Sequence, residues 1–185
     1  LISAAAIPRI IELLNDEDDE VHAACSWSLG IFADAAVSQL QEALNRAEAK
    51  IVSGSADALG NMGFHASPAI ADLQRLLTHT ETRVRFSSVV ALGKIGPAAK
   101  DCVPDLIRCL EDEDAEVRWR ASETLRKIGT EEAKNAWKNF NEESQEAIPG
   151  FIKQLNNPSD EWKRKEAAET LGKMNAEKAV PFLIR

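Results

Sequence analysis

A leucine, usually followed by glycine, returns along this chain as Leu29-Gly30, Leu59-Gly60, Leu92-Gly93, Leu125-Arg126 and Leu171-Gly172, at intervals of 30, 33, 33 and 46 residues. Eight residues before the first four stand Val21, Ile51, Val84 and Val117, and three residues after each leucine stands Phe32, Met62, Ile95, Ile128 or Met174. At about 100° per residue these offsets place the apolar side chains on one helical face. A second pattern precedes them: IPRIIELL from Ile7, IADLQRLL from Ile70, VPDLIRCL from Val103 and IPGFIKQL from Ile148. The unit is thus a helix, a short turn and a second helix. A unit so short cannot bury its apolar face alone, and stacking on its neighbours is what folds it.

The punctuation agrees with the pattern. Pro8, Pro104 and Pro149 fall where a first helix would begin, a position at which the missing N–H costs nothing. The acidic runs NDEDDE from Asn15 and EDEDAE from Glu111 precede second helices, whose positive N-termini they are expected to cap. Gly63, Gly96, Gly129 and, in the last unit, Asn175 are residue types suited to a helix end. The strings VRFSSVVALGKIG from Val84 and VRWRASETLRKIG from Val117 resemble the HEAT repeat, in particular the HEAT-like repeat of phycobilisome lyases. The resemblance extends over nearly the whole chain. The expected architecture is an all-α, right-handed α-solenoid (superhelix) of about five antiparallel helical hairpins.

Two features interrupt it. The 46-residue interval holds about thirteen extra residues, TEEAKNAWKNFNEES from Thr130, expected to form one unpaired helix and then a polar break at 141–145. Residues 1–140 are accordingly expected to hold about four repeats plus an extra helix, and 146–185 a further repeat and the start of a truncated one, either separate from the first part or continuous with it. The closing AVPFLIR from Ala179 matches the opening of another first helix, so a longer array is expected.

Composition bounds the function. Twenty-two Lys and Arg against thirty Asp and Glu give a net charge of -8, which disfavours a nucleic-acid partner on long-range electrostatics, although a local basic strip remains compatible with it. The cysteines Cys25, Cys102 and Cys109 are odd in number and lack CxxC spacing, as expected of reduced structural thiols in a cytoplasmic protein. No apolar run is long enough for a membrane span, and LISAAAIPRI has no basic leader with a cleavage signal, so neither membrane insertion nor secretion is expected. His22, His65 and His79 are isolated, and the acidic runs lack the alternating ligands and central glycine of a calcium loop; no metal and no cofactor are expected.

The face of each second helix opposite its core residues holds Ala23, Ala24, Trp27 and Ile31, then Ser53, Gly54, Asp57 and Asn61, then Phe86, Ser87, Val90 and Lys94, then Trp119, Arg120, Glu123 and Lys127. The fifth set is polar: Lys165, Glu166, Glu169 and Lys173. The resemblance implies that second helices line the concave side. Trp27, Ile31, Phe86, Val90, Trp119, Arg120, Glu123 and Lys127 are therefore the candidate partner-binding residues, since aromatics beside cations are what binding hot spots are made of. Ser53 and Gly54 are expected to leave a dip between them. Trp162 is expected to pack in the core of the fifth unit, and Trp137 with Phe140 to dock the extra helix onto the preceding repeat.

No phosphate-cradling glycine loop, GxSxG elbow or Cys/His pairing is present in the sequence, so a non-catalytic scaffold binding a protein partner is the expected function. The resemblance also implies an alternative, a bilin lyase or chaperone-like subunit acting on a bilin-carrying protein; an aromatic, Arg-lined groove would suit a linear tetrapyrrole with its propionates.

Overall fold

The computed structural model describes residues 4–155 and 161–173. Its α-helices are α1 (Ile7–Leu13), α2 (Asp19–Ile31), α3 (Asp34–Ala43), α4 (Ala49–Met62), α5 (Ile70–Arg75), α6 (Thr82–Ile95), α7 (Val103–Arg108), α8 (Ala115–Ile128), α9 (Glu131–Leu155) and α10 (Glu161–Lys173). They pair in sequence as hairpins, α1 with α2 through to α9 with α10, and the second helices α2, α4, α6 and α8 lie side by side. This is the expected all-α solenoid.

The core is the repeat made visible. Leu29, Leu59, Leu92 and Leu125 are fully buried, as are Val84 and Val117, and one continuous apolar cluster runs from Ile7 to Ala133. In the first three Leu-Gly pairs the glycine has a separate duty. A Cβ at Gly30 would lie 2.7 Å from the Asn61 Cβ, at Gly60 2.9 Å from the Ala91 Cα, and at Gly93 2.5 Å from the Thr124 Oγ1. Each glycine is where one second helix meets the next. Thr124 completes that seam between α6 and α8 by donating to the Val89 carbonyl at 3.0 Å.

Helix ends follow the sequence chemistry. Asp18 accepts from the Glu20 N–H, and Asp114 from the Glu116 and Val117 N–H groups, so both acidic runs supply caps. Pro8 and Pro104 lie in the first turns of α1 and α7. The second helices end on positive φ at Gly63 (58°), Gly96 (78°) and Gly129 (72°), but only Gly129 is left-handed; the other two have ψ of -131° and -138°. At the equivalent station after α2 stands Ala33, with φ 45° and ψ -130°. A side chain there is strained, at a cost of the order of 1–3 kcal/mol. Ala33→Gly is expected to stabilise the protein by about 1 kcal/mol, read as a higher urea midpoint at unchanged m.

Three expectations are corrected. The polar break at 141–145 is absent: α9 is helical from Glu131 to Leu155, so Pro149 lies within it rather than in a first turn. Ser53 and Gly54 form no surface dip, because both are buried. A Cβ at Gly54 would come within 2.7 Å of Leu14 and 2.8 Å of the His22 ring, so this glycine admits the neighbouring hairpin. Trp162 is 68% exposed and packs in no core. Trp137 does pack against the core, and Asn141 donates to the Ser122 hydroxyl, which docks α9 on α8. Phe140 is half-buried. Asn175 and AVPFLIR lie outside the described residues.

Candidate interaction surface

Exposure along the second helices follows one stripe per helix. On α6 it is Arg83, Phe86, Val90 and Lys94, with Ser87 and Val89 buried beside it. On α8 the stripe comprises Glu116, Trp119, Arg120, Glu123 and Lys127; on α4, between the buried residues, it is Lys50, Asp57 and Asn61. On α2 it is Glu20, Ala23, Ala24, Trp27 and Ile31, with Trp27 65% and Ile31 64% exposed. Residues at equivalent stations thus form rows across the helices.

Arg83 on α6 lies 3.6 Å from Asp19 at the start of α2, spanning α4. Helices packed at about 8–10 Å hold α2 and α6 roughly 16–20 Å apart, so this pair is made by extended side chains reaching across α4. The pair therefore bridges the face over α4. The small residues of α4 permit it, since Ser53, Gly54, Ser55 and Ala56 are all buried.

The centre of the surface is an aromatic and cationic cluster. The Arg120 guanidinium lies 4.3 Å from the Trp119 ring centroid and 5.6 Å from that of Phe86, so it joins α6 to α8 by cation–π contacts. Glu116 accepts from it at 3.1 Å. Phe86 is half-buried against the core and Trp119 is half-buried, so each ring is anchored while part of it faces solvent. Lys94 donates to Asn61 at 2.8 Å and Arg126 to Glu123 at 2.9 Å; Val90 is half-buried and Lys127 exposed. Five of the candidates, Phe86, Val90, Trp119, Arg120 and Glu123, are partly buried side chains on the adjacent helices α6 and α8, and Trp27 and Ile31 stand on the other side of α4.

Asp57 is a residue whose importance the sequence reading missed. Burial pushes its carboxyl above the ordinary value, opposed by a hydrogen bond from Ser87 and by the charges of His22, Lys94 and Arg83. Only packing could reveal it, because an aspartate at this spacing reads as solvated. The thiols are otherwise disposed. Burial, with Asp101 and Asp112 nearby, pushes Cys102 and Cys109 up to about 11, and burial with Asp16 raises Cys25. None is a ready thiolate at neutral pH. His22 donates from Nδ1 to the Leu14 carbonyl at 2.8 Å inside the first hairpin, leaving a buried Nε2 without a partner. Among the described residues no His, Cys, Asp and Glu cluster is able to hold a metal ion, and no helix is long and apolar enough to cross a membrane.

Comparison with known proteins agrees with this geometry. Models of HEAT repeats match residues 73–139 and 6–36, and the model of the PBS lyase HEAT-like repeat matches 163–185. Among solved structures, a chain of the complex of CpcE and CpcF of phycocyanin lyase from Nostoc sp. PCC7120 is similar at TM-score 0.62 and 18% identity, over 91% of this chain and 99% of that one. A designed armadillo repeat protein in complex with the peptide (KR)4 is similar at TM-score 0.53 and 21% identity, over 92% and 82%. An engineered protein gives TM-score 0.51 and 24% identity, over 91% and 78%. No curated protein matches the chain.

Proposed function

This chain belongs to the HEAT-repeat family, and from that premise we propose that it is a non-catalytic scaffold that holds a protein partner on the face formed by its second helices. The observation that carries the reading is the Phe86–Arg120–Trp119 cluster, half-buried and anchored, on the face formed by the second helices. Rigid aromatics lose little conformational freedom on binding, and a guanidinium already oriented by two rings loses less than a free one. Hot spots of this composition dominate affinity, at 2 kcal/mol or more each on truncation. Stacked helical units supply the remainder, a long surface whose neighbouring stripes are fixed relative to each other. The raised thiols and the paired charges of the face favour binding over chemistry.

The test is retention of proteins from native lysate by the immobilised wild type and by a Phe86→Ala/Trp119→Ala variant of equal helicity. Specific proteins held by the wild type should be retained at least ~30-fold less by the variant, which corresponds to about 2 kcal/mol. Equal retention by both removes this cluster from the binding site.

A second reading, a subunit acting on a bilin-carrying protein, is favoured by the match of 163–185 to the PBS lyase HEAT-like repeat and by the likeness to the phycocyanin lyase chain over nearly its full length. The same cluster offers rings to stack and a cation for a propionate. Bilin absorbance accompanying the retained protein would select this reading.

A further inference from the structure

The α6 and α8 stripes of the surface are cationic, unlike the chain as a whole, while the α2 and α4 stripes carry Glu20 and Asp57. Lys94, Arg120 and Lys127 lie on the stripes of α6 and α8, with Arg83 paired to Asp19, against Glu116 and Glu123, and both of those carboxylates are already engaged, by Arg120 and Arg126. Lys94 and Lys127 occupy equivalent stations in the last turns of neighbouring helices and are both exposed. Helix spacing puts them roughly 10 Å apart. They lie eight residues beyond Phe86 and Trp119 along their helices, which is about 12 Å at 1.5 Å per residue. Val90 fills the interval on α6. Asn61 on α4 accepts from Lys94 at 2.8 Å and holds it toward the face, with the Asp57 carboxyl nearby.

The acidic runs that dominate the net charge of -8 adjoin the aromatic end of the surface and lie far from its lysine row. Asp16–Glu20 and Glu111–Glu116 lie at the opposite ends of the second helices, roughly 20 Å from the lysine row for a helix of this length. That exceeds the screening length of about 8 Å at physiological salt, so the lysines and not the net charge set the field a docking segment meets.

We propose that the partner docks an acidic segment here: an extended stretch with an apolar or aromatic residue seated against Phe86 and Trp119, and carboxylates three to four residues away paired with Lys94 and Lys127. The spacing follows from the lattice of the surface, since about 12 Å is three to four extended residues. Arg120 contributes where the two parts meet, because its exposed i,i+4 pair with Glu116 is weak enough to exchange for a partner carboxylate. This rests on the scaffold reading above and adds the chemistry of the partner to it.

Short fluorescein-labelled peptides test it by anisotropy, all with the same tryptophan and leucine anchor and with Glu, Gln or Lys at the remaining positions. The Glu peptide should bind ~10-fold or more tightly than the Gln peptide at low salt, and the Lys peptide least. Lys94→Glu/Lys127→Glu should erase the preference for Glu over Gln at an unchanged CD spectrum, and Phe86→Ala/Trp119→Ala should weaken all the peptides. Equal binding of the Glu and Gln peptides, tighter binding of the Lys peptide, an unaffected lysine variant, or no binding of the Glu peptide would each overturn the acidic segment. The scaffold reading falls separately, through equal retention of lysate proteins by the wild type and the aromatic variant.

Discussion

Arg85→Ala is expected to cost about 3–5 kcal/mol, the usual penalty for removing one partner of a buried ion pair. Arg85 is a charged side chain in the interior, 8% exposed against 9% for Asp112. Its Nε and Nη2 donate to both Asp112 oxygens at 2.8 and 2.9 Å, while Nη1 donates to the His79 and Thr80 carbonyls at 2.9 and 3.0 Å. One side chain therefore ties the turn before α6 to the turn before α8. Alanine would leave the Asp112 carboxylate buried without its cation and two carbonyls without donors. Lysine cannot reproduce the planar fork, so Arg85→Lys should recover only part of the loss. The pH dependence follows. Burial alone would raise the Asp112 carboxyl, but the Arg85 hydrogen bond, the Asp114 N–H and the charges of Arg85 and Arg118 leave it below its ordinary 3.8. A depressed carboxyl contributes stability that is present above its unfolded value and lost as pH falls through the folded one. The Arg85 hydrogen bond is the largest of the lowering effects, so without it the burial is less opposed and the depression shrinks. The deficit measured by urea denaturation should therefore be largest near neutrality and shrink toward about pH 3. Hydrogen exchange should place the weakening in α6, α7 and α8, because repeat arrays transmit stability through neighbouring interfaces.

What the sequence made legible was whatever repeats with a single helix period. The buried leucines, the order of hairpins and the capping aspartates are local periodic signals, and each lies where the pattern places it. The errors fall where a side chain's role depends on another unit. Gly54 and Ser53 read as surface because the wheel knows nothing of the His22 ring and Leu14 arriving from the first hairpin. Arg85 reads as an ordinary helix residue until the turn holding Asp112 lies against it. Trp162 is a different failure. It stands nine residues before the buried Leu171, where the core valines stand eight before their leucines, and nine residues is about 180° around the helix and hence on the other face. The polar run at 141–145 reads as a break, but α9 continues through it because such residues cost a helix interior only about 0.7 kcal/mol or less each. The aromatic stripe itself was visible from spacing alone, whereas the cation–π bridge that joins its halves required the packed distance from α6 to α8.

Gly60→Val is expected to destabilise the protein by about 3 kcal/mol, the upper part of the range for overpacking a closed interior. The new Cβ would lie 2.9 Å from the Ala91 Cα and 3.2 Å from its Cβ, and the nearer of these is backbone, which yields only if α4 and α6 separate. The third neighbour, the Lys94 Cδ at 3.3 Å, belongs to a flexible side chain and moves aside. Glycine ordinarily costs a helix interior about 0.5–1 kcal/mol relative to alanine, so its presence here trades helix propensity for close approach of two helices. The fourth unit shows the converse. Arg126 occupies the same station, exposed and paired only with Glu123, and α8 is followed by the long α9 rather than by another closely packed second helix. Arg126→Val should therefore change stability by no more than about 0.5 kcal/mol. Comparing the two substitutions by urea denaturation measures how tightly each second helix is held by the next. If valine at 60 forces α4 from α6, it moves the Phe86, Val90 and Lys94 stripe relative to Trp27 and Ile31, so a folded Gly60→Val protein should also lose retention of any partner that spans α4. Undiminished retention would confine the binding surface to α6 and α8.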